Sequence, residues 1–312
     1  MSENVAGRAT SRDAVGLIGV GLMGMALARR LLAAGIPVVG FDLDAAKRVE
    51  LVAIGGQAVE QLRDLARHCR HVIVAVFSAD QANDALAALA GAPSGAGPER
   101  ALISVVTCDP DDAVALAQRA RSVGFGFVEA PISGTSDQVL RGEGVGLIGG
   151  SPPADPALTA ILDVLLPRRF NVGNIGDGAR TKLAVNLILG LNRLALAEGL
   201  AFAERMGLDL AAFFDVARGS AAYSQVMDTK GGKMISGDFA PQGRVTQSLK
   251  DVHLMLAQAA RLGQELPLCR INAAVLESCV RNGEGERDST IVIEELRRRR
   301  SSHGLAPKIA PR

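Results

Sequence analysis

The hexapeptide Gly19-Val-Gly-Leu-Met-Gly24 constrains this chain more than any other stretch. It follows the short apolar run Val15-Gly-Leu-Ile-Gly19 and precedes a helical pattern of apolar positions at Met25, Leu27, Ala28, Leu31 and Leu32. Gly35 stands where a helix would stop, and Ile36-Pro-Val-Val-Gly-Phe41 resumes as a strand that ends in Asp42. Glycines spaced G-x-G-x-x-G carry little information alone. Set between a strand and a helix, with an acidic residue about 20 positions on, they form the fingerprint of a dinucleotide-binding βαβ unit. Gly19 permits the tight turn, Gly21 lets backbone approach a pyrophosphate, and Gly24 lets the helix pack close with its N-terminus facing the anion. Leu22 and Met23 lie between them and join the expected cofactor-binding residues. Asp42 would accept from both ribose hydroxyls and repel a 2′-phosphate, and Leu43 supplies no compensating arginine, so NAD is expected over NADP. Lys47 and Arg48, about a turn further on, work against that preference.

Helical and strand patterns then alternate. Helices are predicted at 45–53, 60–66, 80–90, 110–122 and 155–165, and strands at 71–77, 101–106, 125–128, 145–148 and 169–172, with a Gly/Pro/Ser-rich loop over 91–98. Such alternation argues a Rossmann-like, doubly wound, mainly parallel α/β sheet. Ligands of that architecture sit at the carboxyl ends of strands, which places Phe77, Ser78 and Thr107 beside the cofactor. The turn-rich stretch Glu129-Ala-Pro-Ile-Ser-Gly-Thr135 tops the same edge, where Ser133 and Gly134 could offer a hydroxyl and backbone amides to a carboxylate. Beyond Gly173 only helical patterns remain: 178–206, 209–218, 223–236, 245–262, 267–281 and 288–299. The first of these would run roughly 40 Å at 1.5 Å per residue, long enough to join two domains. The expected organisation is a disordered segment over 1–13, a cofactor-binding domain over 14–175, an all-α C-terminal substrate and oligomerisation domain over 176–300, and a flexible tail over 301–312.

Composition narrows the function classes. A net charge of +1 with 21% charged residues points to neither nucleic acid nor an anionic membrane surface. The most apolar helix is interrupted by Asn186, Asn192, Arg193, Glu198 and Glu204, so no membrane span is expected. The N-terminus lacks an apolar signal core, and the four cysteines show no C-x-x-C spacing, which together suggest a reducing, cytoplasmic setting. Four histidines without ligand spacing make a dedicated metal site improbable.

Chemistry points to the head of the long helix. Gly178, Lys182 and Asn186 are spaced i, i+4, i+8 and therefore stack along one helical face, away from Leu183, Leu187 and Leu194. An isolated K-x-x-x-N pair is more often a solvated lysine near a helix polar residue. Its context changes that reading.

Gly19-Val-Gly-Leu-Met-Gly24, Glu129-Ala-Pro-Ile-Ser-Gly-Thr135, Gly178-x-x-x-Lys182-x-x-x-Asn186 and Lys250-Asp251, in that order, resemble the β-hydroxyacid dehydrogenase family. That family includes 3-hydroxyisobutyrate dehydrogenase and tartronate semialdehyde reductase and is related to 6-phosphogluconate dehydrogenase. The resemblance spans about residues 15–299 and implies an active site in a cleft between the two domains, with a homodimer or homotetramer as the assembly. It makes Lys182 the catalytic acid/base, Asn186 its hydrogen-bonding companion, Ser133, Gly134 and Thr135 substrate binders, Thr107 a cofactor neighbour and Lys250 a residue on the cofactor side of the cleft. The implied reaction is hydride transfer between a nicotinamide and the carbon bearing the hydroxyl of a short β-hydroxy acid. A free lysine, with a pKa of ~10.4, is a poor base at neutral pH, so burial is expected to lower it toward ~7–8. Alternatives are an imine reductase of the same architecture, against which Lys182 argues, a catalytically silent cofactor-binding protein, against which Lys182 and Asn186 argue, and a decarboxylase like the 6-phosphogluconate enzymes, whose much longer C-terminal region this chain lacks.

Three departures stand out. The family loop commonly ends Ser-Gly-Gly, whereas this one ends Ser133-Gly134-Thr135, and a threonine would be strained if that position needed φ > 0. An aromatic of the relatives is replaced by Gly243 beside Arg244, suggesting a wider or more anionic substrate. Phe77-Ser78 replaces a common Leu-Pro.

Overall fold

Strands whose successive side chains alternate between two buried faces need helices on both sides, and the chain supplies them in turn. The computed structural model describes residues 14–90, 100–151 and 154–299; the expected disordered head, the loop over 91–98 and the tail over 301–312 lie outside these. Among the described residues the elements run β1 (Val15–Ile18), α1 (Leu22–Ala33), β2 (Val38–Phe41), α2 (Ala45–Ala53), β3 (Gln57–Ala58), α3 (Leu62–His68), β4 (His71–Val74), α4 (Ala79–Leu89), β5 (Ala101–Ser104), α5 (Pro110–Ser122), β6 (Gly126–Glu129), β7 (Ile132–Ser133), α6 (Ser136–Leu140), β8 (Val145–Gly149), α7 (Pro156–Leu165) and β9 (Arg168–Gly173). Helices follow: α8 (Asp177–Arg205), α9 (Leu210–Arg218), α10 (Gly232–Ser236), α11 (Val245–Arg261), α12 (Pro267–Arg281) and α13 (Val292–Arg298).

The sheet order is β3-β2-β1-β4-β5-β6-β8-β7, with β9 on β8. From β3 to β6 every pairing is parallel, and the winding reverses between β1 and β4. This is the Rossmann arrangement that the pattern of alternation predicts. One face buries Ile18, Val39, Val74 and Leu102 against Leu65 of α3, Leu86 of α4 and Leu116 of α5. The other buries Leu17, Val38, Ile73 and Ile103 against Leu27 and Leu31 of α1, Leu51 of α2 and Leu162 of α7. At about 25 cal/mol per Å² of apolar surface, each such Leu or Ile contributes roughly 1.5–3 kcal/mol.

Four elements depart from the sequence reading. β3 and β7 hold two residues each, too few to show a period, and β8 runs antiparallel to both β6 and β7. The turn-rich stretch after β6 is therefore partly strand: Ile132 pairs with Gly146 and Ser133 with Val145, and α6 follows at once. Strand pairing also stops sooner, so β4 ends at Val74 rather than at Phe77.

Contacts divide the chain into two units, residues 14–186 with Ala257–Leu262, and Leu187–Leu256 with the residues from Gly263 onward. The division falls inside α8, whereas the sequence reading puts the boundary just before that helix, at 175/176. Residues 257–262 are tied to the first unit through Asp109, which caps α5: Gln258 Nε2 donates to its Oδ2 at 2.8 Å, and Arg261 pairs with the same oxygen.

The second unit is all-α. Its part of α8 buries Arg193, Leu196, Leu200 and Ala203, three or four residues apart, the period of one helical face. By length and composition alone α8 could cross a membrane, with its most apolar window 39% buried, a test that core helices of water-soluble folds also pass. A π-helical turn at Met227–Gly231 precedes α10 and directs Lys230 inward, where its ammonium meets the fully buried Asp288 carboxylate at 2.9 Å. That carboxylate also accepts from the amides of Gln242, Gly243 and Thr290, so the buried charge is fully bonded. Arg193, buried on α8, donates to Ser289 Oγ at 2.9 Å and Ser248 Oγ at 3.3 Å. The four cysteines are free thiols and all are buried; burial pushes Cys69 and Cys279 up to about 12.

At the amino edge of the sheet, His71 is 5% exposed and its Nε2 lies 2.7 Å from Asp155 Oδ2, which also receives Arg70 at 2.8 Å while Asp155 caps α7. Burial holds the imidazole below its ordinary value of 6.5, only partly offset by Asp155. A base depressed in the folded state contributes stability that is present above the unfolded value and is lost as pH falls through the folded one. Thermal unfolding between about pH 7 and pH 5.5 should therefore show a falling midpoint, and His71→Gln should flatten that dependence. An unchanged slope in the variant would assign the loss to other groups.

Candidate active site

Two of the three fingerprint glycines are dictated by the protein itself. Gly19 has φ +89°, and a Cβ there would sit 2.6 Å from Ala75 O; a Cβ on Gly24 would collide with Gly19 O. Gly21 differs. Its φ is −70°, open to any residue, and nothing lies within 4 Å of where its Cβ would be. Neither the fold nor the backbone requires glycine there, and the turn is left open to a ligand's approach. Gly21 also begins α1, which has no side-chain cap and no acidic residue in its first turn, leaving the positive helix end to an anion. These residues fit a dinucleotide pyrophosphate.

Asp42, just past β2, does more than the sequence indicated. Its Oδ2 accepts from Val20 N at 2.7 Å and its Oδ1 from Asp44 N at 2.9 Å, so the carboxylate braces the glycine turn. Each oxygen has a second lone pair and can still accept from a hydroxyl. The two nearby cations are occupied: Arg48 Nη1 donates to the carbonyls of Asp42 and Leu43, and Lys47 pairs with Glu50 at 2.8 Å. Phe77 is 42% exposed after β4, and Ser78 caps α4, its Oγ accepting from Gln81 N at 3.3 Å. Thr107 is buried just past β5. Gly19, Asp42, Phe77, Ser78 and Thr107 therefore share the carboxyl edge of one parallel sheet, around the reversal between β1 and β4.

The loop after β6 reaches the same edge. Gly134 has φ +147°, whereas Thr135 is extended at φ −76°, ψ 162°. The strain foreseen for Thr135 is absent, because the left-handed residue is the glycine before it. Thr135 instead begins α6 with a capping box: its Oγ1 accepts from Gln138 N at 3.2 Å, and Gln138 Oε1 accepts from Thr135 N at 2.9 Å.

Lys182 is buried one turn into α8, with Gly178 before it and Asn186 after it on the same stripe. The start of α8 is held by a residue that sequence reasoning passed over. Glu129, the last residue of β6, is 2% exposed; its Oε1 accepts from Ala179 N at 2.7 Å, and its Oε2 from Gly176 N at 2.7 Å and Gly178 N at 3.3 Å. Burial pushes this carboxyl above its usual range, against the pull of those three amides. A lone acidic residue ending a strand has no spacing signature, so only the fold reveals it.

In the second unit, Lys250 lies in α11 with its Nζ 3.3 Å from Asp251 Oδ1. Gly243 faces open space, but the cation beside it is committed, since Arg244 Nε pairs with Glu286 at 3.1 Å.

Comparison with known proteins identifies the family to which this fold belongs. The profile of the NAD binding domain of 6-phosphogluconate dehydrogenase matches residues 14–173, and that described as NAD-binding of NADP-dependent 3-hydroxyisobutyrate dehydrogenase matches residues 176–296. An L-threonate dehydrogenase of Haemophilus influenzae is 29% identical over 90% of this chain and 94% of its own length. A glyoxylate/succinic semialdehyde reductase of Arabidopsis thaliana is 25% identical over 92% of this chain and 80% of its own. The crystal structure of a 3-hydroxyisobutyrate dehydrogenase from Salmonella typhimurium superposes with a TM-score of 0.81 at 28% identity, covering 90% of this chain and 99% of that one.

The glycine geometry separates binding from folding. Gly21→Ala should leave the melting temperature unchanged while weakening cofactor binding about tenfold or more, a loss of roughly 1.4 kcal/mol. Gly24→Ala should lower the melting temperature as well, by forcing α1 off the turn. Isothermal titration and calorimetry on both variants check this; equal cofactor affinity in Gly21→Ala would place the pyrophosphate elsewhere.

Proposed function

The chain belongs to the β-hydroxyacid dehydrogenase family, and on that premise we propose that it interconverts a short β-hydroxy acid and its carbonyl product with NAD, using Lys182 as general acid/base. Family and relatives support an NAD(P)-dependent hydroxyacid dehydrogenase. One observation carries it: a lysine buried one turn into a helix whose start is bonded to the strand that feeds the Ser133–Gly134 loop. A proton carrier and a carboxylate-binding loop are thereby held to one sheet edge, the edge that also carries the glycine turn.

The nicotinamide, when bound, supplies or takes up the hydride. Lys182 takes the hydroxyl proton in oxidation and returns it in reduction. Asn186, one turn further along the helix, orients the reacting oxygen without adding a charge. Ser133 offers a hydroxyl and Gly134 a backbone amide to the substrate carboxylate. Substrates of the 3-hydroxyisobutyrate size, and hydroxylated acids such as the L-threonate of the Haemophilus relative, form the panel to screen, with NADH absorbance as the readout.

Preference for NAD is supported by Asp42 at the end of β2, by the uncharged Leu43, and by the prior engagement of Arg48 and Lys47. Self-association with a second copy is supported by Ile188, Phe202, Met206 and Val216, each more than half exposed in the helical unit. A monomeric mass in solution would end that proposal. The buried, unbridged thiols fit a cytoplasmic site of action.

Lys182→Ala should lower kcat by about 10²–10⁴ with little change in cofactor affinity, because the proton carrier is lost while the glycine turn is intact. Near-normal kcat would make the lysine structural. NAD should exceed NADP in kcat/KM, and Asp42→Ala should narrow that gap while weakening both cofactors, since the turn loses its brace; equal or better use of NADP by the unaltered protein would overturn the preference.

A further inference from the structure

The start of α8 is bonded in an unusual way. Helix N-termini commonly find a local side chain to accept their first amides. Here the amides of Gly176, Gly178 and Ala179 all converge on one carboxylate that is 47 to 50 residues away in sequence, at the end of β6. The carboxylate is wedged as well as bonded. A Cβ on Gly178 would lie 2.7 Å from Glu129 Cδ, and one on Gly149 of β8 would collide with Glu129 Oε2. Two elements have therefore given up side chains to admit this one.

Its position links the two parts of the site. Glu129 is four residues before Ser133, along a path that Ala130 N and Leu147 N hold to the sheet through Ser104 O at 2.8 Å and Pro131 O at 3.0 Å. Ala179 is three residues before Lys182, within one rigid helical turn. A displacement of the first turn of α8 moves the lysine with it, while the loop stays with the sheet. We propose that Glu129 is a positioning residue that sets the distance between the Lys182 ammonium and the Ser133–Gly134 loop, acting on the hydroxy acid through both. This rests on the reading of Lys182 as proton carrier.

The change Glu129→Gln keeps the shape but replaces one acceptor oxygen by an NH₂ group facing backbone donors, so at least one of the three bonds is lost. A misplacement of about 1 Å can cost on the order of 10²-fold in rate. In the full-length protein Glu129→Gln should lower kcat about 10–10²-fold and shift the pH profile of kcat, with cofactor Kd unchanged within about twofold. A purely structural role would instead lower activity and cofactor-binding capacity in the same proportion and leave the pH profile in place. That result, or an unaltered kcat, overturns the proposal. Should Glu129→Gln not fold, Gly178→Ala carries the test: alanine favours the helix, but its Cβ presses on the same carboxylate, and the same pattern is expected. Unaltered kcat and pH profile in Gly178→Ala would then overturn it. Lys182→Ala measured alongside separates the two ideas. Normal turnover in Lys182→Ala removes the premise, whereas a crippled Lys182→Ala beside a normal Glu129→Gln removes only the role of Glu129.

Discussion

The first helix can lie across the end of β1 only because Gly24 has no side chain to strike the carbonyl of Gly19. That close approach brings the positive end of α1 to the carboxyl edge of the sheet and leaves Gly21 facing open space. The rest of the first unit is consistent with it. Parallel strands place every strand-to-helix turn on the same edge, so Asp42, Phe77, Ser78, Thr107 and the loop after β6 collect there by topology, and not through separate contacts.

Buried carboxylates hold this framework at its seams. Asp155 joins the amino end of β4 to α7, Glu129 joins β6 to α8, and Asp288 joins the π-helical turn to a short 3₁₀ helix at Ser289–Ile291, just before α13. In each case the charge is bonded to backbone amides at an element's start, which is where a negative charge is stabilised by the peptide dipoles. Desolvation opposes all three. It wins in direction for Glu129, which faces amides and the Asp177 charge but no cation, and loses for Asp155 and Asp288, which also face cations or an imidazole.

What could be read from the residues follows the same physics. The βαβ unit was legible because glycine spacing and apolar period agree, and α5 and α12 could be bounded at 110–122 and 267–281 because each opens on a proline. Two-residue strands were not legible, since a period needs more than one repeat. Whether Thr135 is strained stayed open because a sequence does not show which of two loop residues takes φ > 0, and here it is its neighbour Gly134. The second duty of Asp42 and the bonding of Glu129 depend on partners 22 and 47 to 50 residues away, a relation that no local pattern encodes.

The buried thiols have a use that concerns the experimenter more than the reaction. Cys69 and Cys108 are in the first unit and Cys269 and Cys279 in the second, each covered, and the protonated form of Cys69 and Cys279 is favoured well beyond neutral pH. A thiol that is neither exposed nor ionised does not react with alkylating reagents. The native chain should be silent to such reagents, and each labelled position would then time-stamp an opening event in its own unit. The protein thus carries four intrinsic clocks, two per unit, for finding which half loosens first.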